Sequence, residues 1–186
     1  CDHHLPGDKI PAAFAVLDPK RKDCRYPFKE LSGCGVGFKL CQGLNSIYKI
    51  PDSELYDLTD LLTISIAADI VAMTGENRLL AKMGIKILRN TRKLGLRLLI
   101  PEDKLATFDV SNIVFEIAPK INAAGRISQG KAAVDLMVSD NLTTAQKMVE
   151  NIMTLNGERR TLDSYSTEGA MKQIVDNQQE NKYSTV

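Results

Sequence analysis

With 186 residues, 44% of them hydrophobic, the chain is long enough for one ordinary domain, or parts of two, with a real core. Twenty-four basic residues stand against 23 acidic ones, so no global field points to nucleic acid or membrane and charge has to be read locally. No apolar run is long enough to cross a bilayer and no basic start followed by an apolar stretch marks a signal peptide, which leaves the cytoplasm as the expected compartment.

The chain opens on CDHHLPG, residues 1–7, which hold both of its histidines. AAFAVL, residues 12–17, is a short apolar run between Pro11 and the turn-like DPKRKD, and predicts a buried strand. LSGCGVGFKL follows. Its glycines at 33, 35 and 37 allow close backbone approach, and Phe38, Leu40, Cys41 and Leu44 begin a helical pattern; GCGVG lacks the GxGxxG spacing and predicts a tightly packed helix start rather than a dinucleotide site. Next, Leu55, Leu58, Leu62 and Ile66 keep helical spacing behind Asp52 and Ser53 as caps, and Asp69 falls where that pattern ends.

After the TGEN turn, Leu79, Leu80, Met83, Ile87 and Leu88 mark a second amphipathic helix. Residues 78–104 carry eight Lys or Arg against Glu102 and Asp103, which reads equally as a solvated helix face or a phosphate-facing surface. A short helix and then a strand through residues 113–117 precede INAAGRI. The last stretch, from Thr143 to about Gln179, predicts one helix about 55 Å long, the length of a connector between two bodies, weakened at Gly157 and Gly169. Cys1, Cys24, Cys34 and Cys41 show no CxxC spacing and are expected to be ordinary reduced thiols.

Three stretches carry residues suited to chemistry. A histidine pair in a loop is often no more than solvent-exposed, yet imidazole binds a divalent metal through one nitrogen while a carboxylate orients the other, and Asp2 stands beside His3 and His4. Asp69 sits among small and apolar residues in ISIAADIVAM, where it is either a helix-terminal residue facing water or a carboxylate held for a hard cation. In INAAGRI, small residues keep the backbone accessible while Asn122 and Arg126 offer an amide and a guanidinium fork to a phosphate oxygen.

Taken in order, CDHHLPG, the stretch over residues 18–40, SIAADIVAMTGENR and INAAGRI resemble the RecJ family of single-stranded-DNA-specific exonucleases, within the DHH phosphoesterase superfamily; NGERR, residues 156–160, also fits. The resemblance implies an α/β fold: the C-terminal part of a doubly wound DHH-type catalytic domain, then a helical region and a long connecting helix. On that reading residues 1–75 are the C-terminal half of the α/β core, 76–141 its mainly helical part, 142–180 the interdomain helix and 181–186 a tail toward a DHH-associated domain. His3 and Asp69 would be metal ligands, His4 would face the substrate phosphate or steady the site, Asp2 would orient the histidines, and Asn122 and Arg126 would hold the DNA backbone.

The implied reaction is 5′-to-3′ hydrolysis of single-stranded DNA, in recombination and repair, with two Mn²⁺ or Mg²⁺ ions; oxygen and imidazole donors suit these metals better than thiolate-seeking ones. The family's Asp-rich motifs upstream of DHH and its DHH-associated domain are not in this sequence, so the chain reads as a fragment that is inactive by itself and self-associates through uncovered sheet surface. Two other readings fit the residues: a phosphodiesterase for short oligonucleotides or cyclic dinucleotides, and a catalytically silent DNA-binding scaffold.

Overall fold

The computed structural model describes residues 1–127, 130–179 and 182, with the side chains of 125–127 outside the description. Its helices in chain order are α1 (Gly33–Tyr48), α2 (Asp52–Tyr56), α3 (Thr59–Ala68), α4 (Gly75–Leu88), α5 (Leu94–Leu99), α6 (Val110–Asn112), α7 (Ala118–Ile127), α8 (Lys131–Val138) and α9 (Leu142–Asp176), with a 3₁₀ turn at Glu102–Thr107 and a π turn at Ile113–Ile117.

No strand occurs among the described residues, so two expectations change. Residues 12–17 are irregular, with Phe14 fully exposed; a strand is stable only in a ladder, and here a single backbone bond, from the N–H of Asp2 to the carbonyl of Leu17 at 2.9 Å, joins this run to another segment. Residues 113–117 are helical rather than extended. Pro119 has no N–H to give the carbonyl of Phe115 and its ring crowds that carbonyl, so the helix widens and Ala118 N–H bonds Ile113 C=O instead. The helix expected from Asp52 onward is split, because the hydroxyl of Thr59 donates to the carbonyl of Tyr56 at 2.6 Å, an acceptor that a continuous helix would offer to the N–H of Asp60.

The main core gathers Leu88, Leu96, Phe108, Ile113, Ile117, Leu136 and Ile152 from α4, α5 and the segments through α9; a smaller cluster of Phe38, Leu62, Ile66 and Leu80 joins α1, α3 and α4. The α3–α4 crossing requires a glycine: a Cβ at Gly84 would stand 2.1 Å from the carbonyl oxygen of Thr59. Within this body Asp60 is fully buried and fully paired. It accepts from Thr91 Oγ1 at 2.7 Å, Lys93 Nζ at 2.9 Å and the N–H of Leu61 at 2.7 Å.

Residues 1–32 form no helix or strand and are pinned at the start of α4. Tyr26 OH donates to Glu76 at 2.6 Å, and the fully buried Asn77 side chain donates to the carbonyls of Glu30 and Ala72 at 2.5 and 3.0 Å. Gly75, at φ 46°, lets Phe28 close on this turn, since a Cβ there would meet the ring at 2.7 Å. The long helix runs unbroken from Leu142 to Asp176, 35 residues or about 52 Å.

Candidate metal and phosphate site

The two sequence-distant groups expected to be metal ligands do come together. The ring Nε2 of His3 lies 3.8 Å from Oδ2 of Asp69, with side chains 16% and 39% exposed. Asp69 caps the C-terminal end of α3, its N–H bonded to Ser65 C=O at 2.9 Å and its carboxylate 3.4 Å from the Ser65 hydroxyl. A helix C-terminus carries partial negative charge, so backbone and carboxylate there favour a cation together. The His3 ring also faces the start of α1, where a methyl added at Gly33 would lie 3.5 Å from Cδ2 and 3.9 Å from Nε2. That helix begins at the buried Ser32, whose hydroxyl accepts from Gly35 N–H at 3.2 Å, and its free N–H groups favour an anion.

Asp2 orders the loop that carries both rings. One oxygen, Oδ1, accepts the N–H of His3 at 2.7 Å and of His4 at 3.1 Å and meets His4 Nδ1 at 2.7 Å. The hydrogen bonds from His4, backbone first and then ring, and from the His3 N–H hold the Asp2 carboxyl down at about 2. Asp2 therefore orients the ring of His4 directly and reaches His3 only through its backbone. The two rings lie 4.3 Å apart at 52°, with His4 largely in solvent.

Asp69 is less enclosed than ISIAADIVAM implied; the buried carboxylate of α3 is Asp60. Directly after Asp69, Ile70 takes φ 52°, a left-handed conformation that is a genuine outlier for a β-branched residue. It lines a cavity of about 270 Å³ with Ala67, Ala68, Val114, Ala118, Pro119, Asn122 and Arg159. Asn122 is thus placed on the Asp69 side of the molecule. Arg126 falls in α7, but its side chain lies outside the described residues, as does most of the 181–186 tail.

The basic surplus of residues 78–104 divides. Arg78, Lys82, Lys86, Arg92 and Arg97 are exposed or half-buried, whereas Lys93 pairs with Asp60, Arg89 bonds the carbonyl of Phe108 at 2.9 Å, and Lys104 pairs with Glu116 at 2.8 Å. All four cysteines are free. Among the described residues no group of three or more His, Cys, Asp or Glu is placed to hold a metal, and no helix is long and apolar enough to cross a membrane.

No protein-family model matches the sequence. Six curated proteins do match it, and all carry one name, single-stranded-DNA-specific exonuclease RecJ. That of Bacillus subtilis (strain 168) is 40% identical over 178 residues, covering 93% of this chain and 22% of the relative. That of Escherichia coli (strain K12) is 32% identical over 177 residues, covering 87% and 30%. A solved exonuclease RecJ bound to manganese superposes with a TM-score of 0.81 at 32% identity over 92% of this chain and 43% of the other. RecJ from Thermus thermophilus in complex with Mn²⁺ gives 0.78 at 30% identity, over 92% and 26%.

The likeness thus runs through one class of protein, single-stranded-DNA-specific exonucleases. Over nearly its whole length the chain is similar to RecJ exonucleases, in sequence and in fold. It spans between 22% and 30% of the length of the curated relatives it matches.

Proposed function

We propose that this chain is the part of a RecJ-type exonuclease that supplies one side of a metal-dependent site for hydrolysing single-stranded DNA, from the 5′ end by family likeness. The observation that carries the proposal is the approach of His3 Nε2 to Asp69 Oδ2 at 3.8 Å, between a helix end that favours cations and one that favours anions. One imidazole nitrogen and one carboxylate suit Mn²⁺ or Mg²⁺, the metals named with the solved relatives. Bound there, such ions activate water and offset charge on the phosphate.

The chain's own residues do the rest. His3 and Asp69 hold the cation side, Asp2 fixes His4 so that its ring faces an incoming phosphate, and Asn122 with Arg126 receives the backbone from α7. Residues 12–17 take up sheet pairing in this reading, consistent with exposed Ala12, Ala13 and Ala15 and with the bond from Asp2 to Leu17. The cytoplasm is the compartment that this reading expects.

In the full-length protein carrying this sequence, His3→Ala or Asp69→Asn lowers Mn²⁺-dependent digestion of a labelled single strand by about 100-fold. Unchanged digestion overturns the proposal; preferred turnover of a dinucleotide would assign the site to short substrates instead. The 186-residue chain alone, with two metal-binding groups together, is expected to digest nothing.

A further inference from the structure

NGERR on α9 has no role in the site described so far, yet it delivers Arg159 into the cavity beside Asp69. Among the described residues, Nε of Arg159 is buried without a hydrogen-bond partner, while its side chain as a whole is 32% exposed. A buried donor without an acceptor is costly, so a guanidinium held this way is poised for one that arrives. Its other end pairs with Asp163 through Nη1, and Asp163 is 62% exposed and free to turn to solvent.

The cavity's remaining wall is made of Ala68, Ile70, Val114 and Pro119, with Asn122 as its polar member. An apolar wall with one guanidinium and one amide suits a sugar–phosphate unit: the fork takes the anionic oxygens and the small apolar side chains accept the sugar. A free carboxylate would satisfy the guanidinium but leave this wall uncovered. Ile70, strained and exposed between Asp69 and the cavity, joins the two halves of such a surface.

We propose that Arg159 takes a backbone phosphate of single-stranded DNA in the cavity next to Asp69. This rests on the reading that the His3–Asp69 side works on single-stranded DNA. It adds α9 to the substrate path, so the long helix carries a contact as well as a connection.

The test is a titration of the ¹⁵N-labelled 186-residue chain with oligothymidylate, following the Nε–H signal of Arg159, the Asn122 side-chain amide and the His3 ring. The expected result is a saturable shift of Arg159 together with Asn122 and His3. Arg159→Gln weakens binding about tenfold and lowers the salt slope by about one, while Arg159→Lys keeps the slope and loses part of the affinity. If His3 and Asn122 shift while Arg159 does not, this inference alone is overturned; if nothing shifts, it falls together with the functional reading. A shift of Arg159 and Asn122 without His3 supports the phosphate contact and overturns the placement of the active site; a shift of Arg159 alone overturns the inference. An equal shift with poly-L-glutamate shows a generic anion site and overturns the inference.

Discussion

Residues 1–32 and the helical body behind them are built in opposite ways. The body closes on itself, with Leu88, Leu96, Phe108, Ile113 and Ile117 buried and the fully buried carboxylate of Asp60 satisfied by three hydrogen bonds. The leading segment has no regular structure, exposes Leu5, Ile10 and Phe14, and holds its place through a few bonds to α4. Yet the histidines sit on this segment, and the body offers them Asp69. The candidate site therefore lies at a seam between the packed body and a segment held by specific polar contacts.

The largest expected effect breaks the body. Lys93→Met leaves Asp60 buried without its cationic partner and costs about 3–5 kcal/mol in urea unfolding. A loss under about 1 kcal/mol would mean that the ion pair does not hold the body together. Next comes the seam itself: Asn77→Ala removes both carbonyl contacts, costs about 1–3 kcal/mol, and broadens the His3 ring signals as the loop after Asp69 loosens. Sharp, unmoved His3 signals would show that the segment is held elsewhere.

A smaller change of opposite sign is expected at Ile70. Glycine there relieves the left-handed strain and, because Ile70 is exposed, gives up little packing, so stability rises by about 1 kcal/mol while binding of oligothymidylate falls. No gain in unfolding free energy would contradict the strain.

The smallest effect is one of pH. Burial pushes the Glu76 carboxyl up, but the hydrogen bonds from Lys39 and Tyr26 outweigh it and hold it below its ordinary 4.5. A depressed carboxyl contributes stability that is present above 4.5 and lost as pH falls through the folded-state value. Tyr26 ring signals should therefore move on acidification below pH about 4.5 in the native chain but not in Glu76→Gln; identical titrations would remove Glu76 from the anchor.

Much of this was legible in the sequence, and the gaps have physical causes. The helical periods of Leu79, Leu80, Met83 and Leu88 and of the stretch from Thr143 onward correspond to α4 and α9, and the glycines before Phe38 do start a packed helix. Asp69 stood open to two readings, a helix-end residue facing water or a carboxylate held for a cation, and its exposure at the end of α3 fits both; Asp60 is buried by tertiary contacts to Thr91 and Lys93 that no local pattern shows. The strand expected at 113–117 is apolar and β-branched, but Pro119 two residues on turns that composition into a π turn. The pairing of His3 with Asp69 was reached through family likeness rather than spacing. Arg159 stood in NGERR, quoted for that likeness, but nothing along α9 marks which of its arginines faces a cavity.

On the proposed reading, His3 and Asp69 make one cation site at this seam. Titrating Mn²⁺ into the ¹⁵N,¹³C-labelled chain tests it most directly, because the ion broadens only nearby nuclei. Early, joint loss of the His3 ring, Asp69 and Gly33 signals is expected, at weak, roughly millimolar affinity and abolished by His3→Ala. Broadening that begins elsewhere, or persists unchanged in His3→Ala, would contradict it.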